Sequence, residues 1–296
     1  MIPFVRDLKF EYGKVDQVSP LIRRVVANNP GPFTYLGTGT YIVGQEEVAV
    51  IDPGPDLPAH LEAILDAVEG ERITHILLTH HHSDHSPLAE PLKVLTGAKI
   101  VGCAVPQVVD DSGVQVEAGY GAPVEHDIEV CGGGVIKGLG WTLEAIPTPG
   151  HTSNHICYAL KEENALFSGD HIMGWSTTVI TPPDGDMAAY FRSLDLIKAR
   201  NFDILWPTHG PPITEVGPFI DAYAAHRRDR ERQIVEAIGK GLSTIGDMVP
   251  VLYAAVDKRL HPAAARSVLA HLIQLVDEGR VLTEGAAGPA SVYRLA

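Results

Sequence analysis

Residues 77–87, "LLTHHHSDHSP", set four histidines and an aspartate between positions 80 and 85, directly behind the apolar run Ile76-Leu77-Leu78. The preceding segment "ITHILLTH" (73–80) is short, continuous and β-rich, and reads as a buried strand. A core does not absorb imidazole and carboxylate without partners, because an unpaired buried polar group costs roughly 2–7 kcal/mol. The cluster therefore either faces water or is filled.

The same design recurs along the chain. "EVAVIDPGPD" (47–56), "AKIVG" (98–102), "WTLEAIPTPGH" (141–151), "HICYAL" (155–160), "ALFSGD" (165–170) and "FDILWPTHG" (202–210) are apolar strands that end in turn or polar residues. His151 follows "TPG", Asp170 follows "FSG" and His209 follows "WPT". If these strands are neighbours, their C-terminal loops converge on one rim. Between them lie helical patterns. Leu61, Ile64, Leu65 and Val68 form a stripe over 58–69, with Pro58 in the first turn and Asp56 as the expected cap; Tyr190, Phe191, Leu194 and Ile197 form another over 187–200. The alternation predicts layers of both sheet and helix.

Imidazole nitrogen and carboxylate oxygen at this density suit zinc and related first-row divalent ions, iron and manganese included. In a tight loop His80 and His82 grip one ion together with His151. Asp84 and His85 turn toward a second ion with His209, and Asp170 bridges the two. Each ion keeps room for a shared water, which a catalytic site needs and a structural zinc site lacks. His81 should point away from the ligands. His155, four residues after His151, is a substrate-contact or supporting candidate. Gly174, Trp175, Ser176 and Thr177, in "HIMGWSTTV" (171–179), are expected to line the pocket mouth. His60, His75, His126, His171, His226, His261 and His271 read as ordinary histidines.

Composition bounds the rest. The chain has 296 residues, 45% of them hydrophobic, enough for a large domain with or without a small one. No apolar run approaches the ~20 residues of a membrane span, and "MIPFVRDLKFEYG" carries no secretory h-region. Cys103, Cys131 and Cys157 are few and widely spaced, which fits a reducing, cytoplasmic location and no disulfide framework. The net charge of −14 sits in residues 1–217, while 218–296 are close to neutral. An acidic body does not attract nucleic acid broadly. The run "HRRDRER" (226–232) reads as a solvated helix face.

After Pro218 the texture changes. A long polar helix (218–238), two shorter helices (244–256 and 262–279) and a hairpin with strands near 280–283 and 291–295 give the order of a winged-helix unit. The expected division is a catalytic domain over 1–217 and a linker helix with winged helix over 218–296.

"THHHSDH" (79–85) is similar to the TH-x-H-x-D-H signature of the metallo-β-lactamase fold, and His151, Asp170 and His209 resemble its later motifs. "NPGPFTYLGTGTYIVG" (29–44), "IDPGP" (51–55), "PTPGHTSNHICYAL" (147–160) and "LFSGDHIMGWSTTVITPPDGDMAAYFRSL" (166–194) resemble the subgroup with a C-terminal winged helix. That subgroup includes the mitochondrial β-lactamase-like endoribonuclease. The resemblance covers nearly the whole chain and implies an α/β fold, the αββα sandwich, with a dinuclear site at the rim between two sheets. It is specific for fold and weakly specific for substrate.

Departures from other branches narrow the reading. The main subclass of zinc β-lactamases has Cys where this chain has Asp170, and those enzymes are secreted, so antibiotic hydrolysis is not expected. Flavodiiron proteins have Glu in place of His82. Persulfide dioxygenases do not use the full second site. Glyoxalase II shares the ligands but has a different helical C-terminal domain, and no β-CASP insertion for long RNA is present.

The expected activity is metal-dependent hydrolysis. A hydroxide shared by two ions attacks a phosphodiester of single-stranded RNA or an ester-type bond, with Asp84 orienting it or relaying its proton. The alternatives are a small-molecule thioester hydrolase of glyoxalase II type and, from another class, a nucleic-acid-binding winged-helix protein with structural metal. The expected partners are the substrate ester or single-stranded RNA, with homodimerisation left open and no membrane.

Overall fold

In the computed structural model, which describes residues 1–104, 119 and 123–296, the apolar segments build two sheets packed face to face. The first is ordered β1 (Val15–Gln17), β2 (Ile22–Val26), β3 (Gly39–Gln45), β4 (Glu47–Ile51), β5 (Arg72–Leu77), β6 (Lys99–Gly102) and β7 (Ile128–Glu129). The second is β8 (Gly134–Gly138), β9 (Trp141–Pro147), β10 (Ile156–Leu160), β11 (Ala165–Gly169) and β12 (Ile204–Pro207), neighbours in that order. β4, β5 and β6 are parallel, as are β11 and β12, so their carboxyl ends leave each sheet together.

Side-chain alternation sorts the core. In β4, Ala49 and Ile51 face the opposite sheet, where they meet a cluster with Tyr41, Leu77, Tyr158 and Phe167. Val48 and Val50 face outward and are covered by Ile64 of α1 (Pro58–Ala67) and Leu92 of α2 (Ala89–Thr96). In β10, Ile156, Tyr158 and Leu160 face inward. Cys157 and Ala159 pack under α3 (Met187–Ala199) and α4 (Val216–Gly239). This is the expected αββα sandwich. Burial on both faces explains why these strands read as continuous apolar runs. The cap of α1 differs from expectation: Leu57 holds that position with no side-chain hydrogen bond, and Asp56 lies outside it.

The C-terminal unit is the winged helix. α5 (Ile245–Leu252), α6 (His261–Asp277), β13 (Val281–Thr283) and β14 (Tyr293–Leu295) enclose Met248, Val268, Leu272, Leu275, Val281 and Tyr293. The division expected at 217/218 falls inside α4, because Pro218 sits in the first turn, where its missing N–H has no helical partner to lose. Val216, Phe219, Ile220 and Tyr223 of α4 belong to the core under the second sheet. Ile234, Ala237 and Ile238 of the same helix belong to the winged-helix core.

Two further expectations are corrected. Cys103 and Cys131 form a disulfide, since the pairing of β6 with β7 brings the two ends together; Cys157 is free and buried. Arg227, inside the run read as a solvated face, is buried. No described helix is long and apolar enough to cross a membrane.

Candidate metal centre

Every predicted ligand follows the carboxyl end of a strand. β5 delivers His80, His82, Asp84 and His85; β9 delivers His151; β11 delivers Asp170; and β12 delivers His209. All seven are buried. Three sets of ligating atoms lie within 4.8 Å of one another: His80/His82/His151, His80/His85/Asp170 and Asp84/His85/His209. Asp170 stands between the halves: its Oδ2 is 3.8 Å from His151 Nε2 and 3.7 Å from His85 Nε2, and its Oδ1 is 3.5 Å from His209 Nε2. Gly169 makes this position attainable. Its φ is +52°, and a Cβ there would meet His155 Nε2 at 2.6 Å and Thr79 Cβ at 2.9 Å.

The protein fixes which nitrogen four of the five predicted histidine ligands present; the fifth, His82, turns its Nδ1 to His80 Nε2 at 2.9 Å and His151 Nε2 at 3.2 Å. Asp52, at the end of β4, accepts from the Thr79 N–H at 2.8 Å, from the Thr79 and Thr208 hydroxyls at 2.8 Å each, and from His85 Nδ1 at 2.9 Å. With its own proton given to Asp52, the Thr79 oxygen accepts from His80 Nδ1 at 3.0 Å. His151 Nδ1 donates to Val179 O at 2.7 Å and His209 Nδ1 to Gly37 O at 3.2 Å. In each case Nε2 is left facing the cluster, the arrangement that metal-ligating histidines use.

Electrostatics match the geometry. Burial pushes the His80 and His82 imidazoles well below their usual range, and neighbouring histidines add to this. Burial also opposes charge on His85, but Asp84, Asp52 and Asp170 override it and hold this imidazole well above its ordinary value. His209 is raised in the same way, with Asp170 and Asp84 outweighing burial. Burial favours protonated Asp84 and Asp170, yet His85 and His209 keep both below the usual carboxylate range.

Four buried atoms in the cluster, Asp84 Oδ1, His85 Nε2, Asp170 Oδ1 and His209 Nε2, have no hydrogen-bond partner among the described residues. A buried polar atom left so costs about 1–3 kcal/mol. Divalent cations satisfy all four, so the donor set fits the expected ions.

The other candidates separate. Trp175, Ser176 and Thr177 line a cleft over His82, Asp84, His151 and Asp170, together with Pro32, Phe33, Met173 and Val179. Trp175 stacks on Tyr35, with ring centroids 4.9 Å apart. Gly174 is not in the cleft wall: its carbonyl accepts from the Val5 N–H at 2.8 Å, and a Cβ there would approach Pro211 O at 3.0 Å. His155 also lies behind the site. It is 1% exposed, its Nε2 accepts from the Asp170 N–H at 3.1 Å and its Nδ1 pairs with Thr148 Oγ1 at 2.9 Å, so it braces Asp170. His81 Nδ1 meets Asn154 Oδ1 at 2.9 Å, and His81 belongs to none of the three ligating sets.

The metallo-β-lactamase superfamily model matches residues 35–209, a span that begins before β3 and ends on the last ligand. The chain belongs to the metallo-β-lactamase superfamily. The β-lactamase associated winged helix domain matches residues 244–288. The β-lactamase-like protein 2 homolog of Caenorhabditis elegans is 32% identical, over 90% of this chain and 88% of its own. An atrochrysone carboxyl ACP thioesterase of Aspergillus chevalieri is 30% identical, over 91% of this chain and 85% of its own. Among solved structures, a β-lactamase domain protein from Burkholderia ambifaria superposes with a TM-score of 0.80 at 20% identity, covering 100% of this chain and 98% of its own. A metallo-β-lactamase family protein from Thermus thermophilus gives 0.77 at 22% identity, over 94% and 100%. Family, relatives and the His/Asp clusters together make this member of the superfamily a metal-dependent hydrolase.

Proposed function

We propose that the protein hydrolyses acyl thioesters at a dinuclear centre. His80, His82 and His151 would hold one ion, Asp84, His85 and His209 would hold the other, and Asp170, within reach of both groups, would serve the two. Zinc is the ion that the ligand types favour, and iron or manganese fit the same set. Bound there, such ions supply Lewis acidity, which lowers the pKa of water to about 7 and polarises a carbonyl.

The chain's own residues do the rest. Asp84 stays ionised, so its carboxylate accepts a hydrogen bond from the attacking water and orients that water. Phe33, Met173 and Trp175 give the cleft an apolar wall that excludes bulk water from the acyl group. Ser176 and Thr177 offer hydroxyls at its edge.

The composition of the cleft carries the choice of substrate. Among its described lining residues there is no lysine or arginine. A nucleic-acid backbone needs cations against its phosphates, whereas a thioester carbonyl does not. The relative named as an ACP thioesterase, aligned across both domains, supports the same reading. Turnover of acyl thioesters on carrier protein, coenzyme A and glutathione, measured beside labelled single-stranded RNA with and without chelator, tests it. The proposal expects chelator-sensitive thioester cleavage. Faster chelator-sensitive cleavage of the RNA would contradict it.

A further inference from the structure

Arg227 is 4% exposed, and no carboxylate lies within ion-pair distance of it among the described residues. Its Nη2 instead donates to Thr178 O, and its guanidinium lies 5.5 Å over the Tyr190 ring. One turn earlier on α4, the fully buried Tyr223 donates its hydroxyl to Ser176 O at 2.7 Å and accepts the Thr178 N–H at 2.7 Å. One helix face thus pins three backbone groups of residues 176–178, a stretch with no regular structure of its own.

The same loop holds two metal-centre residues from its other side. Thr178 Oγ1 donates to Asp170 O at 2.8 Å. Val179 O accepts from His151 Nδ1 at 2.7 Å. His151 presents Nε2 to the site only while that acceptor stays in place, and the Thr178 peptide, fixed at both its N–H and its C=O, sets where Val179 lies. A buried guanidinium that meets a carbonyl in place of a carboxylate is poorly repaid for leaving water. Its position is explained by what it holds rather than by what it contributes to the core.

We propose that Tyr223 and Arg227, on the helix leading into the winged-helix domain, are positioning residues for the His80/His82/His151 half of the centre, acting through residues 176–179. The inference rests on the dinuclear reading above. It makes the linker helix part of the metal scaffold, and it joins the winged helix to the site through a helix that orients a ligand.

The test uses the full chain and Zn²⁺ alone, titrated against a chromogenic chelator, with thermal melting of each variant. Tyr223→Phe deletes one oxygen and keeps the ring; Arg227→Met keeps the bulk and removes the donors. Ile197→Ala is the control, since Ile197 is buried on α3 in the same core. Repeating the titration in a His209→Ala background isolates the ion held by His80, His82 and His151. Wild type should bind two ions. Tyr223→Phe and Arg227→Met should weaken the His151-side ion by about tenfold or more, the scale on which partners of ligating histidines act. Ile197→Ala should lower Tm at least as far and leave both affinities unchanged.

A Tyr223→Phe protein with wild-type affinity for both ions would overturn the inference, as would a control that weakens the ion equally. A loss confined to the other ion would also overturn it. If Arg227→Met does not fold, Tyr223→Phe decides alone. If wild type binds no ion, the dinuclear reading fails and takes this inference with it. If wild type binds two ions and the variants do the same, only this inference fails.

Discussion

Asp52 Oδ2 and His85 Nδ1 meet at 2.9 Å with both side chains wholly out of solvent. The same carboxylate gathers the peptide of Thr79 and the hydroxyls of Thr79 and Thr208, so residues beside ligands from both sheets are tied to one buried group. Asp52→Asn replaces an acceptor with a donor facing Nδ1, which favours the wrong imidazole tautomer at His85. The expected result is a roughly 10–100-fold loss of metal affinity or turnover with the fold retained. Wild-type metal content and rate in a folded Asp52→Asn protein would show that the contact does not matter to the centre.

Asp170 and His81 make a contrasting pair. Among the described residues, Asp170 is the carboxylate within reach of His85, His151 and His209 together, and its charge offsets repulsion between two nearby cations. Asp170→Asn should lose at least one metal and nearly all turnover. His81→Ala, beside His80 and His82 in sequence but outside the ligating sets, should keep both metals and most activity. Metal analysis and initial rates of the two proteins, measured side by side, decide the assignment; the reverse pattern would refute it.

Ion release should be stepwise with pH. Protons compete with metal wherever the metal-free ligand has a raised pKa, which is the case for His85 and His209. His80 and His82 are lowered well below 6.5, so protons do not compete there until the solution is far more acidic. As pH falls, affinity at Asp84/His85/His209 should drop first, by about tenfold per pH unit for each proton taken up. Anomalous scattering from crystals equilibrated at falling pH would locate the remaining ion. Loss of the His80/His82/His151 ion first would contradict the assignment.

His271 on α6 should make the fold acid-sensitive. It is fully buried, neither ring nitrogen has a hydrogen-bond partner among the described residues, and burial, reinforced by Arg227, Arg230 and His226, pushes its imidazole down to about 3. Above pH 6.5 the group is neutral in folded and unfolded chains alike. As pH falls from 6.5 towards 3, the unfolded chain takes up a proton that the folded chain refuses, and stability declines by at most ~1.4 kcal/mol per pH unit. His271→Leu removes that slope, and no hydrogen bond is lost with it. Denaturant unfolding of both proteins from about pH 7.5 to about pH 5 should show the variant gaining on wild type as pH falls. Parallel curves would mean that His271 is not the group involved.

The ligands were legible because each stands directly after an apolar strand, where polar residues have no structural reason to accumulate. Nothing in the sequence marks Asp52, since "DPG" after "AVI" reads as an ordinary turn, and only the register of β4 beside β5 shows what it faces. Helix α2 is hard to read from the sequence because "AEPLKVLT" is short and contains Pro91, although Ala89 and Leu92 are buried in the core beneath it. The composition change near Pro218 suggested a domain boundary, but proline is at home in a first helical turn, and α4 runs through it. Arg227 was hidden by its neighbours, since charge runs report composition and not which member turns inward. The Cys103–Cys131 pair depends on spatial proximity that spacing alone does not encode.

Hydrolysis at this site depends on a two-ion centre. The most direct measurement is the elemental content of protein purified without chelator, read against turnover of an acyl thioester as metal is removed and restored. Content should approach two equivalents per chain, and activity should fall and return with the second equivalent. A preparation fully active with one equivalent or fewer would contradict the account.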